Sequence, residues 1–167
     1  VKYPGFVEDC AAALQEALHV LPAFGGDPER VFLMGHSAGA YNAMMLALDG
    51  PRFGAPDLGA KLRGVIGLSG PYDFYPFDVS QAIAAFEGSP EPEASQPVNI
   101  VHDRAPDVLL LHCRADTTCG LSHSGHLSAQ LRGAGVPVIE RSYRGVKHIL
   151  PLLALLPLLT RRRPCYP

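Results

Sequence analysis

Arg30-Val31-Phe32-Leu33-Met34-Gly35-His36-Ser37-Ala38-Gly39-Ala40 is the stretch on which the reading of this chain turns. Four consecutive apolar residues, Val31 to Met34, suit a strand buried on both faces. Gly-His-Ser-Ala-Gly follows at once, and a run of helix formers, Ala40 to Leu48, comes after it. A strand that must reverse into a helix within so few residues forces the serine into a strained backbone conformation. Glycines at 35 and 39 are expected because a Cβ at either place collides with the neighbouring strand or helix. The outcome is a hydroxyl held clear of the sheet at the N-terminus of a helix, where negative charge is favoured.

The five-residue pattern is weak alone: with 17 glycines in 167 residues, about one such chain in ten matches G-x-S-x-G by chance. Its place between a strand and a helix makes it a nucleophile elbow, with Ser37 as the candidate nucleophile. Read blandly, Ser37 is an ordinary helix N-cap.

Working outward, Val7 to Leu21 reads as a helix with apolar residues at 7, 10, 11, 14, 17, 18 and 21 on one face. Residues 50–59 hold glycines and prolines and read as a loop. Leu62 to Leu68 is a second buried strand, ending in Ser69-Gly70-Pro71-Tyr72-Asp73. Residues 74–106 are irregular, apart from a short helix over Ser80 to Phe86. Val108 to His112 is a third strand, Leu121 to Leu131 an amphipathic helix, and Val136 to Tyr143 a fourth strand. From Ile149 the pattern is an apolar helix cut by prolines. Strands alternating with helices predict an α/β fold: a mostly parallel sheet with its four strands in sequential order and helices on both faces.

The composition sets limits. A net charge of −2 leaves no electrostatic footprint for nucleic acid. The longest nearly apolar run, Ile149 to Leu159, is too short to span a bilayer. Arg161-Arg162-Arg163 reads as a solvated helix end. Cys10, Cys113, Cys119 and Cys165 show neither a disulfide framework nor zinc spacing. A cytoplasmic setting is the default expectation, and no cofactor or metal is called for.

A serine hydroxyl needs a base, and the base needs an orienting carboxylate. Asp116 follows the third strand and His148 the fourth, so both fall at the sheet edge that carries Ser37. Asp73, after the second strand, is the rival acid. Asp103 and Asp107 precede the third strand, at the wrong end. His36 lies too close to Ser37 to be its base and is expected to line the site. His112 reads as a packed, hydrogen-bonded residue, and His123 with His126 as solvated histidines on one helix face. Ser69 stands in Gly-Leu-Ser-Gly-Pro, which lacks the elbow's second glycine.

Taken together, Gly35-His36-Ser37-Ala38-Gly39, Gly67-Leu68-Ser69-Gly70-Pro71-Tyr72-Asp73, Leu111-His112-Cys113-Arg114-Ala115-Asp116-Thr117-Thr118 and Gly145-Val146-Lys147-His148 resemble the α/β-hydrolase esterases. The nearest group is the bacterial carboxylesterases related to hormone-sensitive lipase and kynurenine formamidase. The resemblance implies an α/β-hydrolase fold, a small-molecule ester substrate, Ser37 as nucleophile, Asp116 as acid, His148 as base, and the Ala38 N–H as an oxyanion-hole donor. A formamide substrate and a catalytically degenerate binding module are the alternatives. Such relatives usually carry Gly where Cys113 and Lys147 stand, and an apolar residue at Cys119. They also carry further strands and a His-Gly-Gly loop ahead of the elbow. The expectation is therefore one α/β-hydrolase domain over residues 1–167, incomplete at both ends.

Overall fold

The computed structural model describes residues 1–145, 147–153 and 155. The four expected strands form, as β1 (Val31–His36), β2 (Leu62–Leu68), β3 (Asp107–Cys113) and β4 (Val138–Tyr143). They pair in the order β1-β2-β3-β4, all parallel. Parallel neighbours need a crossover, and helices supply each one. Helix α1 (Gly5–Val20) precedes β1, and α2 (Ala38–Asp49) springs from its end. The expected loop at 50–59 contains a short 3-10 turn, Gly50–Phe53, and feeds one helical turn, α3 (Leu58–Lys61), directly into β2. Helix α4 (Ser80–Phe86) lies within the irregular stretch, α5 (Ser122–Gly133) joins β3 to β4, and α6 (Leu150–Leu153) follows β4.

Helix α2 is apolar all round, and its surroundings explain why. It lies against β1 and β2 on one side and against α1, α3 and the turn Pro97–Asn99 on others. Met44, Met45, Leu46 and Leu48 are buried as a result; each such side chain contributes about 1.5–3 kcal/mol. The segment 74–86, irregular in sequence apart from the expected helix at its end, is held over this layer by aromatic contacts. The Phe86 ring meets Tyr3, Phe6, Tyr41, Phe74 and Phe77.

One expectation is narrowed. Helices α2 and α5 cover the same sheet face, the one lined by Leu33, Val65, Val108, Leu110 and His112. Strand residues alternate between faces, so Phe32 and Met34 with Ile139 and Tyr143 point the other way. Phe32 is 62% and Met34 52% exposed, and Ile139 and Tyr143 are also exposed. Of the two faces expected to carry helices, only one is covered in this way among the described residues. The apolar residues on the second face explain why it reads as buried from sequence. The basic run Arg161-Arg162-Arg163, Cys165, Val146 and five of the eleven residues of the Ile149–Leu159 run lie outside the described residues.

Candidate active site

The site is built from three strand ends. At the end of β1, Ser37 has φ 55° and ψ −124°, a region costing about 1–3 kcal/mol for a non-glycine residue. The neighbourhood holds it there. The Ser37 N–H donates to Leu68 O at 2.9 Å, and Ser37 O accepts the Ala40 and Tyr41 N–H groups. Gly35 is required: a Cβ there falls 2.1 Å from Gly39 O and 2.6 Å from Ala40 N. Gly39 is not, because a Cβ built on it meets nothing within 4 Å. The expected clash at 39 is absent because this second residue of α2 faces outward.

Ser37 occupies the N-cap position of α2, yet its side chain makes no cap hydrogen bond. A cap is typically worth ~1 kcal/mol, and here that stabilisation is forgone. The hydroxyl lies instead 2.8 Å from His148 Nε2. His148 Nδ1 lies 2.6 Å from Asp116 Oδ2. A carboxylate accepts, so the proton sits on Nδ1, which leaves the Nε2 lone pair facing the serine hydroxyl.

Asp116 follows β3 in a tight turn and its side chain is 0% exposed. Its Oδ1 accepts the Thr118 and Cys119 N–H groups, each at 2.9 Å. Burial pushes this carboxyl up. The Cys119 N–H, His148 and the Thr118 N–H outweigh burial and hold it below the ordinary carboxylate value. The sequence carried a signal for this turn: an Asp two and three residues before its donors is an Asx-turn pattern. His112 sits beneath the same turn, fully buried. Its Nε2–H donates to Cys119 O at 2.9 Å, and Ser124 Oγ–H donates to its Nδ1 at 2.7 Å. The carbonyl cannot donate, which sets the tautomer.

The other candidates fall elsewhere. Asp73 does not meet His148; its Oδ2 accepts from His126 Nδ1–H. Its N–H donates to His123 Nδ1 at 3.3 Å. His123 and His126, expected to be solvated, therefore hold the segment after β2 against α5. Burial is the main reason that the pKa of His123 is lowered. Asp107 opens β3 at the opposite sheet edge. Cys113 and Cys119 are buried; burial raises both thiols, Cys119 to about 12, so each stays protonated. Lys147 is exposed. Sequence reasoning missed the partner of His36: its Nε2 lies 2.7 Å from His148 O. No local pattern could reveal a partner 112 residues away. Among the described residues no group of three or more His, Cys, Asp or Glu side chains has metal-binding geometry. None of the described helices is long and apolar enough to cross a membrane.

The profile of the prolyl oligopeptidase family matches residues 5–152. This chain belongs to the prolyl oligopeptidase family. Among the curated proteins, Esterase LipQ of Mycobacterium tuberculosis is 27% identical over 155 residues, covering 83% of this chain and 37% of that protein. Isoprenylcysteine alpha-carbonyl methylesterase ICME of Arabidopsis thaliana is 25% identical over 164 residues, covering 85% and 38%. The chain thus spans well under half the length of these curated relatives. Among solved structures, a carboxylesterase of Lactobacillus plantarum superposes with a TM-score of 0.77 at 14% identity, covering 98% of this chain and 60% of that one. A truncated carbohydrate esterase from gut microbiota gives 0.76 at 22% identity, covering 89% and 62%. These likenesses establish the α/β-hydrolase fold for this member of the prolyl oligopeptidase family.

Proposed function

We propose that this chain carries the reacting groups of a serine hydrolase acting on carboxylic esters, and that residues 1–167 belong to one α/β-hydrolase domain. The observation that supports this most is the unbroken run of hydrogen bonds Asp116–His148–Ser37, at 2.6 and 2.8 Å. Ser37 Oγ attacks the ester carbonyl while His148 Nε2 takes its proton. The carbonyl oxygen becomes an oxyanion, and the Ala38 N–H at the start of α2 is one donor to it. Collapse of the tetrahedral intermediate breaks the bond to the alkoxy oxygen, which leaves as alcohol with the proton from His148. Water then attacks the acyl-enzyme, with His148 again as base, and the acid departs from a regenerated Ser37. Asp116 stays ionised throughout. It fixes the Nδ1–H tautomer and offsets the charge of the imidazolium. The esterase names of both curated relatives favour an ester over an amide substrate.

The test is hydrolysis of p-nitrophenyl acetate and butyrate, with a formanilide and a prolyl p-nitroanilide run beside them. The esters should turn over fastest. Asp116→Asn should lower kcat on the order of 10³–10⁴-fold, because an amide in that place favours the wrong histidine tautomer. Faster amide turnover would move the substrate class to formamides or peptides. Absence of both turnover and fluorophosphonate labelling would mark the chain as a binding module instead.

A further inference from the structure

The side chains of His36, Ser37 and Asp116, from other parts of the fold, meet His148. His148 itself lies in the turns between β4 and α6, outside any strand or helix. Its ring is gripped at both nitrogens, by Asp116 and Ser37. Those bonds orient the imidazole; the position of the main chain behind it is a separate matter. Among the described residues, one side chain outside this loop meets that main chain. His36, the last residue of β1, places Nε2 2.7 Å from the carbonyl oxygen of His148. A carbonyl only accepts, so His36 carries its proton on Nε2 and donates. The two rings also lie against each other, with centroids 4.7 Å apart and planes 49° apart. The residue immediately before Ser37 therefore grips the residue whose ring faces the Ser37 hydroxyl.

We propose that His36 is a positioning residue: it ties the nucleophile turn to the main chain of His148 and so sets the Ser37–His148 distance. It touches no reacting atom. The physical case is geometric. The strained Ser37 turn fixes the hydroxyl relative to β1, whereas His148 arrives from the end of β4, at the other side of the sheet. A small error in that docking is expensive, since a misplacement of about 1 Å can cost ~10²-fold in rate. Anchoring the His148 backbone to the adjacent residue of the elbow makes both partners move together.

This inference rests on the Ser37–His148 reading above, so its test includes a readout independent of turnover. The 167-residue chain, His36→Leu and His36→Gln are compared in kcat and KM for p-nitrophenyl acetate and in thermal midpoint. The low-field proton resonance of His148 Nδ1–H, which reports the short bond to Asp116, is compared as well. Leucine fills the space but cannot donate; glutamine returns an N–H at similar reach. His36→Leu should lose about 10–100-fold in kcat, with KM and thermal midpoint unchanged and the low-field signal broadened or lost. His36→Gln should regain the signal and most of kcat. Wild-type kcat and signal in His36→Leu would overturn the proposal. So would losses that track a fall in thermal midpoint and are not rescued by glutamine, or absence of the signal from all three proteins. If none of the three hydrolyses the ester but the signal disappears in His36→Leu and returns in His36→Gln, the positioning role stands and the hydrolase reading falls.

Discussion

Two neighbouring strands of this sheet end in a serine, and the two ends share one backbone device. Ser37 after β1 has φ 55°, and Ser69 after β2 has φ 47°. Each donates its N–H to the next strand, Ser37 to Leu68 O and Ser69 to Leu111 O, both at 2.9 Å. From there they part. Ser37 is half-buried and its hydroxyl meets His148. Ser69 is fully buried, and its hydroxyl finds no oxygen or nitrogen partner among the described residues. It lies beside the Cys113 thiol.

The residues after each serine make the difference. Ala38-Gly39 continues into helix α2 and leaves the hydroxyl at its open end. After Ser69 no helix begins at Gly70-Pro71, and the chain folds back so that Tyr72 fills the space over the strand end. A Cβ on Gly67 would fall 1.9 Å from Tyr72 Oη, and one on Gly70 2.5 Å from it. A strained turn at a strand end is thus not itself a reactive site. Exposure and a facing base are also needed.

The largest expected effect breaks this comparison at its centre. Ser37→Ala should abolish fluorophosphonate labelling and lower ester turnover to background, a loss on the order of 10⁶ in kcat by analogy with a measured serine hydrolase. Ser69→Ala should leave labelling intact. It should also leave thermal stability unchanged or slightly raised, because a buried hydroxyl without a partner costs about 1–3 kcal/mol. Labelling that survives Ser37→Ala and vanishes in Ser69→Ala would reverse the two roles.

A second pair tests why the first turn is so tight. Gly35→Ala drives a methyl into the backbone of α2, which cannot yield, and should destabilise by about 1–3 kcal/mol in chemical denaturation. Gly39→Ala enters open space on a helix and should stabilise by roughly 0.5–1 kcal/mol. Equal losses at both positions would show that the elbow is crowded on both sides.

The smallest effect concerns pH and separates the anchors of the two serine turns. His123, which accepts the Asp73 N–H behind Ser69, has a lowered pKa. The unfolded chain therefore binds more protons than the folded one just below the ordinary value of 6.5. Stability contributed by neutral His123 is full above that value and declines as pH falls through it. Asp116, behind Ser37, is also lowered, so its contribution persists until pH falls through its ordinary value of 3.8. Thermal midpoints measured from about pH 8 down to about pH 3 should decline in two stages. His123→Gln should remove the first. A first stage that survives His123→Gln would assign it to another group.

The four strands and their sequential parallel order were legible in the sequence because local periodicity and crossover handedness determine them. The serine turn was legible for the same reason: a strand, a G-x-S-x-G and a helix leave few backbone routes. Ser37, Asp116 and His148 could be singled out because each follows a strand and parallel strands end at one edge. The side-chain partners were decided by tertiary packing. Whether Asp73 or Asp116 faces His148 depends on how α5 lies over β3, and α5 brings His126 and His123 to Asp73. The segment 74–86 takes its place from aromatic contacts between residues far apart in the chain, so the sequence announces the short helix Ser80–Phe86 but not where it packs. That Gly35 is indispensable while Gly39 has room depends on which way α2 leaves the turn. The bond from His36 to the His148 main chain joins residues 112 apart. It exists only because β1 and the loop after β4 meet above the same sheet edge, and contacts between distant residues are set by packing geometry rather than by any local pattern.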